Sequence, residues 1–262
     1  MARRTALVTG ASLGIGAAFA RRLAADGYDL VLVARDGTRL EDVAKELTAT
    51  HGVSVEVLPA NLATGPGRAL VAQRLADSER VVDLLINNAG TSLNTPFVRS
   101  ALEQEHELIE LNVKAVLELS HAALRGMVQR RDGAIINVSS VAGFGIPMAG
   151  STYSASKAWV TNFSESVGLS VAPFGVRVMA LCPGYVRTGY HERAGIDMSK
   201  TPDWMWLDTD TVVAAALRDL GRGKRVSIPT LRYKALAGAL RHLPRSLVSR
   251  AARDTRGRIG RS

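Results

Sequence analysis

Two side chains in the middle of the chain have the types and spacing needed for acid–base chemistry. Tyr153 and Lys157 are four residues apart, so on a helix they share one face about one turn apart. A phenol ordinarily loses its proton near pH ~10, and a fixed ammonium beside it lowers that pKa toward the range useful for proton transfer. The spacing predicts a catalytic pair; the alternative is an exposed helix pair without chemical function.

A glycine-rich turn near the N-terminus predicts a nucleotide site. The apolar run Thr5–Thr9 is typical of a buried strand, and residues 10–16 contain three glycines before apolar residues continue at helical spacing to Asp26. A strand, a glycine turn and a helix aim backbone N–H groups at a pyrophosphate. The spacing Gly-x-x-x-Gly-x-Gly differs from the best-known dinucleotide motif, so an ordinary glycine-rich turn is the alternative.

The second predicted strand, residues 29–34, is followed by a cation. An acidic residue there would bind the ribose 2′-hydroxyl of NAD, whereas Arg35 suits the 2′-phosphate of NADP. Asp36 could compensate that charge, and a solvated arginine at a strand end is the alternative. The sequence therefore predicts NADP(H) in preference to NAD(H).

Strand-like and helical patterns alternate along the rest of the chain. Further apolar runs lie at 54–59, 82–87, 134–138 and 176–181. Helical patterns lie between them, at 38–51, 66–78, 100–130 and 152–172. This alternation predicts one α/β domain with a three-layer Rossmann-type fold and a parallel, doubly wound sheet. Turns after parallel strands meet at one edge of a sheet, where ligands bind.

The chain resembles the short-chain dehydrogenase/reductase family over about residues 3 to 190, extending toward Ser227. The matching segments occur in the expected order: Thr9-Gly10-Ala11-Ser12-Leu13-Gly14-Ile15-Gly16, Asn87-Asn88-Ala89-Gly90, Asn112, Ser139-Ser140, Tyr153 with Lys157, and Pro183-Gly184 with Thr188. The resemblance implies a one-domain Rossmann-type fold, a nicotinamide cofactor and carbonyl–alcohol chemistry.

The resemblance also implies roles for individual residues. Ser140, thirteen residues before the tyrosine, matches the catalytic serine, and Asn112 matches the catalytic asparagine that anchors a water near Lys157. Lys157 is expected to hold the nicotinamide ribose and Thr188 the carboxamide. With Arg35, the expected cofactor-binding set is Gly10, Ser12, Gly14, Ile15, Gly16, Asn61, Leu62, Asn88, Ala89, Gly90, Tyr153, Lys157, Pro183, Gly184, Val186 and Thr188.

Two positions depart from the family pattern. Asn61 stands where an aspartate usually lies beside the adenine, although an amide can still bond the adenine edge. Leu13 replaces a basic residue that some NADP-preferring members carry. The prediction of NADP therefore depends on Arg35 alone.

The substrate side is expected to be apolar. By resemblance, residues 189–210 form a flap over the substrate, and this flap contains Trp204-Met205-Trp206-Leu207. Aromatic and methionine side chains adapt to apolar ligands. We expect the other wall to include Phe144, Ile146, Pro147 and Met148, and the substrate to be a steroid-like, fatty-acyl or aromatic ketone or alcohol. The alternative is that Trp204 and Trp206 pack in the core or in a subunit interface.

The composition predicts a cytoplasmic protein without a membrane span, a signal peptide or a metal site. The chain has 262 residues, 47% of them hydrophobic, and no run of ~18 apolar residues that would cross a membrane. The apolar run after Arg3-Arg4 is too short for a signal peptide. A single cysteine, Cys182, fits a reducing compartment and predicts a cytoplasmic location. The five histidines show no paired ligand spacing, so no metal is expected.

Positive charge is concentrated at the C-terminus. Residues 222–262 carry 12 Lys and Arg and one acid, so the body is near neutral and nucleic-acid binding is not expected. We divide the chain into a catalytic domain, 1–230, and a basic extension, 231–262. Leucines alternate with cations over 231–248, where Pro244 limits any helix. This segment either lies weakly on an anionic membrane surface or docks its leucines on the domain.

Two classes of function fit these features. The first is an NADP(H)-dependent oxidoreductase that interconverts a carbonyl and a secondary alcohol. The second is a non-catalytic NADP-binding sensor, since a fold does not determine a function; a sensor has no need of a Tyr–Lys pair with Ser and Asn partners. The resemblance further implies a homo-dimer or homo-tetramer formed through the helices at 100–130 and 152–172.

Overall fold

The computed structural model of the protein describes residues 3–144, 152–189, 199 and 201–242. Seven strands form one sheet in the order β3-β2-β1-β4-β5-β6-β9, and all of their pairings are parallel. Their bounds are β1 (Thr5–Thr9), β2 (Asp29–Ala34), β3 (Val55–Pro59), β4 (Leu84–Asn87), β5 (Gly133–Val138), β6 (Val176–Leu181) and β9 (Val226–Ser227). A separate parallel pair joins β7 (Tyr185–Val186) to β8 (Trp206–Leu207).

The helices cover both faces of this sheet. They are α1 (Gly14–Ala25), α2 (Gly37–His51), α3 (Gly65–Ala76), α4 (Leu102–Ile109), α5 (Ala115–Arg130), α6 (Tyr153–Val171), α7 (Thr209–Gly221) and α8 (Leu231–His242). Local chemistry sets several helix ends. The side chains of Asp36, Thr64 and Asp208 cap the N-termini of α2, α3 and α7, and Gly52 ends α2 in the left-handed region.

The core has two layers, one on each face of the sheet. In β1, Ala6 and Val8 belong to one apolar cluster and Leu7 to the other, as the alternation of side chains along a strand requires. The first cluster includes Phe19 of α1, and the second includes Leu119 of α5. The predicted three-layer, doubly wound α/β fold in a single domain is confirmed.

Three features differ from the sequence prediction. The helix expected over 100–130 is divided into α4 and α5 by a π-helical turn, Glu110–Lys114. Helix α7 begins inside the predicted flap, at Thr209. The short strand β9 was not predicted, since two residues carry no detectable alternation.

Helix α8 docks on the domain by a different face from the one predicted. Tyr233 and Ala237 are buried in the core, whereas Leu231 is 82% exposed and Leu236 is partly exposed. The leucines at 243 and 247 and Pro244 lie outside the described residues. Within the described part of the chain, no helix is long and apolar enough to cross a membrane.

Candidate active site

A cavity of about 690 Å³ lies at the edge where the parallel strands end. Each of the first six strands contributes a residue from the turn that follows it: Gly10, Arg35, Asn61, Asn88, Ser140 and Pro183. This is the placement that a doubly wound sheet gives to a ligand site. The cavity therefore brings together groups that are far apart in sequence.

The glycine turn is held against this cavity by Asn88. Its Nδ2 donates to the carbonyl oxygens of Thr9 and Gly10, at 2.9 and 3.3 Å. Gly10 has a φ of +65°, and a Cβ there would lie 2.8 Å from Asn88 Nδ2. Gly14 has a φ of +56° and faces Thr188, whose Cγ2 would lie 2.9 Å from an added Cβ. Only glycine fits these two positions without strain.

The same turn leaves room for a pyrophosphate. Leu13, the N-cap of α1, makes no side-chain cap bond, so the first N–H groups of the helix are free of a side-chain acceptor and suit an anion. Gly16 does not line the cavity; a Cβ there would overlap the Gly10 carbonyl. Its lack of a side chain lets the loop close on α1. These features fit the phosphates of a dinucleotide.

Two arginines lie at the far end of the cavity. Arg35 and Arg39 both line it, beside Asp36. The Asp36 carboxylate accepts a hydrogen bond from the backbone N of Arg39 at 3.0 Å, so it caps α2. Asn61 also lines this end, and its Oδ1 accepts from Ala63 N at 3.1 Å. Arg39 was not predicted from the sequence, although its place in the first turn of a helix after Asp36 was a usable signal.

Tyr153 and Lys157 meet at the opposite end of the cavity. Tyr153 opens helix α6 and is half-buried, whereas Lys157 is buried. The Lys157 Nζ donates to the Val138 carbonyl at 2.9 Å and lies 5.8 Å from the centre of the Tyr153 ring. Burial lowers the pKa of Lys157 to about 8, against a weaker opposing influence of Cys182. The ammonium form therefore still predominates at neutral pH.

The two neighbouring serines have different surroundings. Ser140 lines the cavity, and its Oγ accepts from Ala142 N at 3.2 Å. Ser139 is buried, and its Oγ donates to the Lys157 carbonyl at 2.7 Å. Ser140 is thus available to a ligand, while Ser139 ties β5 to α6.

Two asparagines at this edge hold neighbouring protein groups in place. Asn112 lies in the π-helical turn and is fully buried. Its Oδ1 accepts from Thr91 N at 2.9 Å, and its Nδ2 donates to Thr91 O at 2.9 Å and to Ser156 Oγ at 3.2 Å. Asn87 donates to Asn137 Oδ1 at 2.9 Å, its partner in register on β5. Asn87 is therefore a structural residue of the sheet.

The substrate end of the cavity is mostly apolar, with one exposed carboxylate. Its walls include Leu93, Glu107, Leu111, Val141, Ala142, Tyr185, Met205, Tyr233 and Leu236. Tyr233 and Leu236 were missed, because helix α8 reaches the cavity only through tertiary packing. Tyr233 Oη donates to Met205 O at 2.6 Å and accepts from Tyr185 N at 3.1 Å.

Some residues expected on these walls lie elsewhere. Phe144 packs in the core and is not among the cavity-lining residues. Ile146, Pro147 and Met148 lie outside the described residues, as do residues 190–198 and 200 of the predicted flap. Trp204 is 63% exposed, and Trp206 packs beside Tyr185 with ring centres 6.0 Å apart. Of this tryptophan-containing run, only Met205 lines the cavity.

The chain is similar to known proteins over most of its length. Residues 4–198 match the family model for short chain dehydrogenase. A short-chain dehydrogenase from Sphingobium yanoikuyae, solved in complex with NADPH, is 41% identical and superposes with a TM-score of 0.84 over 94% of this chain and 95% of its own. The bulky-bulky ketone specific alcohol dehydrogenase from Comamonas testosteroni is 33% identical, with a TM-score of 0.79 over 94% of each chain.

A curated relative adds a named activity. The 3-oxoacyl-[acyl-carrier-protein] reductase of Synechocystis sp. is 36% identical over 190 residues, which cover 72% of this chain and 76% of the relative. The family model spans well over half of the chain. The chain therefore belongs to the short-chain dehydrogenase family, and it is an oxidoreductase that acts on CH–OH groups with a nicotinamide cofactor.

Proposed function

We propose that the protein is an NADP(H)-dependent oxidoreductase that interconverts a carbonyl and a secondary alcohol on a hydrophobic substrate. The observation that carries this proposal is the position of Tyr153, Lys157 and Ser140 together at one end of a cavity. The glycine turn lies in the same cavity, so a bound dinucleotide and a substrate would share it.

The proposed roles follow from the chemistry of each group. The cofactor, when bound, supplies or accepts a hydride. Tyr153 donates its proton to the carbonyl oxygen, and the Ser140 hydroxyl donates a hydrogen bond to the same oxygen as charge develops on it. The ammonium of Lys157 favours the phenolate that remains. In the oxidation direction, the Tyr153 phenolate takes the proton of the alcohol.

Asn112 has a supporting place in this scheme. Its amide holds both backbone groups of Thr91, which lines the cavity. A Cβ on Gly90 would lie 3.2 Å from Asn112 Oδ1 and 3.4 Å from Lys157 Nζ, so the glycine keeps this region open. The anchoring of a water by Asn112 stays a prediction from the family resemblance.

The preference for NADP is proposed on two cations. Arg35 and Arg39 both line the far end of the cavity, and guanidinium groups suit a 2′-phosphate. Asp36, the acid that could oppose them, is used as the cap of α2. The Sphingobium yanoikuyae relative was solved with NADPH, which supports the same preference.

The substrate class is proposed from the cavity walls. Leucine, valine, methionine and tyrosine side chains dominate the end near Tyr153, which favours a bulky, mainly hydrophobic ketone or alcohol. The similarity to an alcohol dehydrogenase specific for bulky-bulky ketones supports this choice. Fatty-acyl, steroid-like and aromatic ketones all remain members of the proposed class.

The remaining expectations about assembly and location are also proposals. Exposed apolar side chains on or next to α4, α5 and α6 favour a homo-oligomer formed through these helices: Leu102, Ile109, Leu117, Leu169 and Phe174. Elution as a monomer at micromolar concentration would contradict this. The cytoplasmic location and the division at residue 230 rest on the sequence arguments alone.

The experiment that tests the function is a screen of NADPH oxidation. Purified protein is mixed with NADPH and a panel of aliphatic, aromatic, steroid and acyl-thioester ketones, and absorbance at the reduced-nicotinamide band is followed. We expect sustained turnover with at least one bulky hydrophobic ketone and faster turnover with NADPH than with NADH. Tight NADPH binding without turnover on any compound would favour the sensor instead.

A further inference from the structure

One buried carboxylate outside the proposed catalytic set lies beside the start of helix α6. Glu105, on α4, is only 2% exposed. Its Oε2 accepts from the backbone N of Thr152 at 3.1 Å and from the Thr152 hydroxyl at 2.7 Å, and its Oε1 accepts from Ser100 Oγ at 2.7 Å. Thr152 immediately precedes Tyr153.

This carboxylate remains ionised despite its burial. Burial raises the pKa of Glu105, but the hydrogen bonds from Thr152 and Ser100 outweigh that effect, so the pKa lies below its usual value. No cation contributes to this shift. The carboxylate also lies at the N-terminus of α6, where the helix dipole favours a negative charge.

Helix α6 lacks a cap of its own. Thr152 occupies the N-cap position with helical φ and ψ and makes no side-chain cap bond. The first N–H groups of a helix have no intrahelical acceptor. Glu105 therefore provides from α4 the acceptor for the N-cap N–H that the glutamate of a capping box would normally provide from within the helix.

A second set of hydrogen bonds holds the same turn through Ser156. Ser156 Oγ donates to the Tyr153 carbonyl at 2.7 Å and accepts from Asn112 Nδ2 at 3.2 Å. Asn112 belongs to the π-helical turn that continues directly from α4. One continuous helical segment thus contacts the start of α6 at two residues, Thr152 and Ser156. Tyr153 lies between these two residues in the sequence.

We propose that Glu105 is a positioning residue that fixes Tyr153 by capping helix α6 from the neighbouring helix α4. This inference rests on the proposed function, since Tyr153 must be the group that transfers the proton. Misplacing a reacting group by about 1 Å can cost roughly a hundredfold in rate. Loss of the hydrogen bonds from Thr152 to Glu105 should therefore lower turnover. The cofactor site, which lies mostly on other elements, should stay intact.

Asp219 provides a matched control. It is a second buried carboxylate, 1% exposed, and it accepts from Lys224 Nζ at 2.7 Å and Ser227 Oγ at 2.9 Å. These contacts join α7 to β9, away from Tyr153. Asp219→Ala should remove a comparable buried network without touching the start of α6.

The test compares Glu105→Ala, Glu105→Gln and Asp219→Ala. We expect Glu105→Ala to lower kcat by roughly tenfold to a hundredfold and to leave the Kd for NADPH within about twofold of wild type. Glu105→Gln keeps an acceptor for Thr152 and should fall between Glu105→Ala and wild type. Asp219→Ala should lose thermal stability without a matching loss of kcat. Equal losses of kcat in the Glu105 and Asp219 variants, or parallel losses of kcat and NADPH affinity, would overturn the inference.

A measurement without substrate separates this inference from the proposed function. Hydrogen exchange in the first turn of α6 should speed up in Glu105→Ala and stay unchanged in Asp219→Ala. Unchanged exchange in Glu105→Ala would overturn the positioning role, whether or not a substrate has been found. Faster exchange with wild-type kcat would also overturn it, whereas an inactive wild-type protein would instead count against the proposed function.

Discussion

At the scale of single residues, Lys157 illustrates a conflict between chemistry and stability. Its ammonium is buried, and its hydrogen bond to the Val138 carbonyl is to a neutral group. Burial lowers the pKa of Lys157 from 10.5 to about 8, which means that the folded protein holds this charge less well than water does. The same burial places a cation beside Tyr153, where the proposed mechanism needs it.

The first prediction concerns stability as a function of pH. Below pH 8, Lys157 is protonated in both states but well solvated only in the unfolded one, so the folded state is destabilised by about 3 kcal/mol. This penalty is relieved as the pH rises from about 8 to 10.5, because only the unfolded state then keeps the proton. Lys157→Met should therefore unfold at higher denaturant concentration than wild type at pH 7, and the difference should shrink by pH 10.

Lys45 supplies the control for that experiment. It is exposed on α2, so Lys45→Met removes a cation without relieving a buried site. The difference between Lys45→Met and wild type in the denaturant concentration of unfolding should be similar at pH 7 and pH 10. A Lys157→Met protein that is less stable than wild type at pH 7, or whose difference does not change with pH, would contradict the account of the buried ammonium.

The second prediction concerns the choice of cofactor. Arg35→Ala should weaken NADPH binding by roughly tenfold to a hundredfold, because a charge-assisted contact to the 2′-phosphate is lost, and should leave NADH binding nearly unchanged. Arg39→Ala should act in the same direction. The dissociation constants can be measured by nicotinamide fluorescence. Equal losses for both cofactors would show that these arginines do not select the phosphate.

At the scale of elements, the π-helical turn is one of the features that the sequence did not predict. The residues over 100–130 were interpreted as one helical segment, whereas a π-helical turn inside a helix is rare and has no sequence motif of its own. The turn is recognised from the backbone over Glu110–Lys114, and within it Asn112 contacts Thr91 and Ser156. Short β9 and the start of α7 escaped prediction for similar reasons, because two residues or a capping aspartate give little periodic signal.

The strands were easier to predict than the helix ends. The central strands β1, β2, β4 and β5 are buried almost throughout, so their sequences are nearly continuous apolar runs with sharp limits. The polar groups that follow these runs were therefore placed at one edge correctly. By contrast, Tyr233 and Leu236 reach the cavity through the packing of α8, and no local pattern encodes which surface a terminal helix will cover.

The third prediction concerns the link between α3 and the π-helical turn. Arg68 is buried; it forms ion pairs with Glu110 at 2.8 Å and Glu118 at 2.9 Å and donates to the Leu62 carbonyl at 3.2 Å. Lysine cannot satisfy three such partners at once. Arg68→Lys should weaken NADPH binding by roughly threefold to tenfold, since the loop at Leu62 lines the cofactor end of the cavity.

Arg74 is the matched control on the same helix. It is also buried and pairs with Glu56 at 2.8 Å, and it donates to the Arg80 carbonyl. Arg74→Lys should lower the melting temperature about as much as Arg68→Lys does, without changing NADPH affinity. Similar changes of affinity in both variants would mean that the effect is general destabilisation.

At the scale of the whole molecule, the parallel sheet and the basic tail have separate roles. The sheet brings the residues of the proposed site to one edge, and the family match supports the fold that places them there. Residues 222–262 hold all of the excess positive charge, with 12 Lys and Arg against one acid. The outer side of α8 is exposed at Leu231, Arg232 and Lys234.

The fourth prediction concerns this tail. Cations near an anionic lipid surface each contribute roughly 1 kcal/mol of binding, so the full chain should sediment with vesicles that contain phosphatidylserine at low salt. A protein ending at His242 keeps the docked part of α8 and should sediment much less. Vesicles of phosphatidylcholine alone are the control. Equal sedimentation of both proteins, or of neither, would leave the tail as a structural or oligomer-forming element.

The central claim is that Tyr153 transfers the proton, and the substitution Tyr153→Phe tests it most directly. The variant keeps the ring and removes only the hydroxyl, so cofactor binding should stay within about threefold of wild type. With saturating NADPH and the best ketone of the screen, kcat should fall by roughly a hundredfold to ten-thousandfold. A Tyr153→Phe protein that binds NADPH normally and turns over at a rate close to wild type would contradict the account.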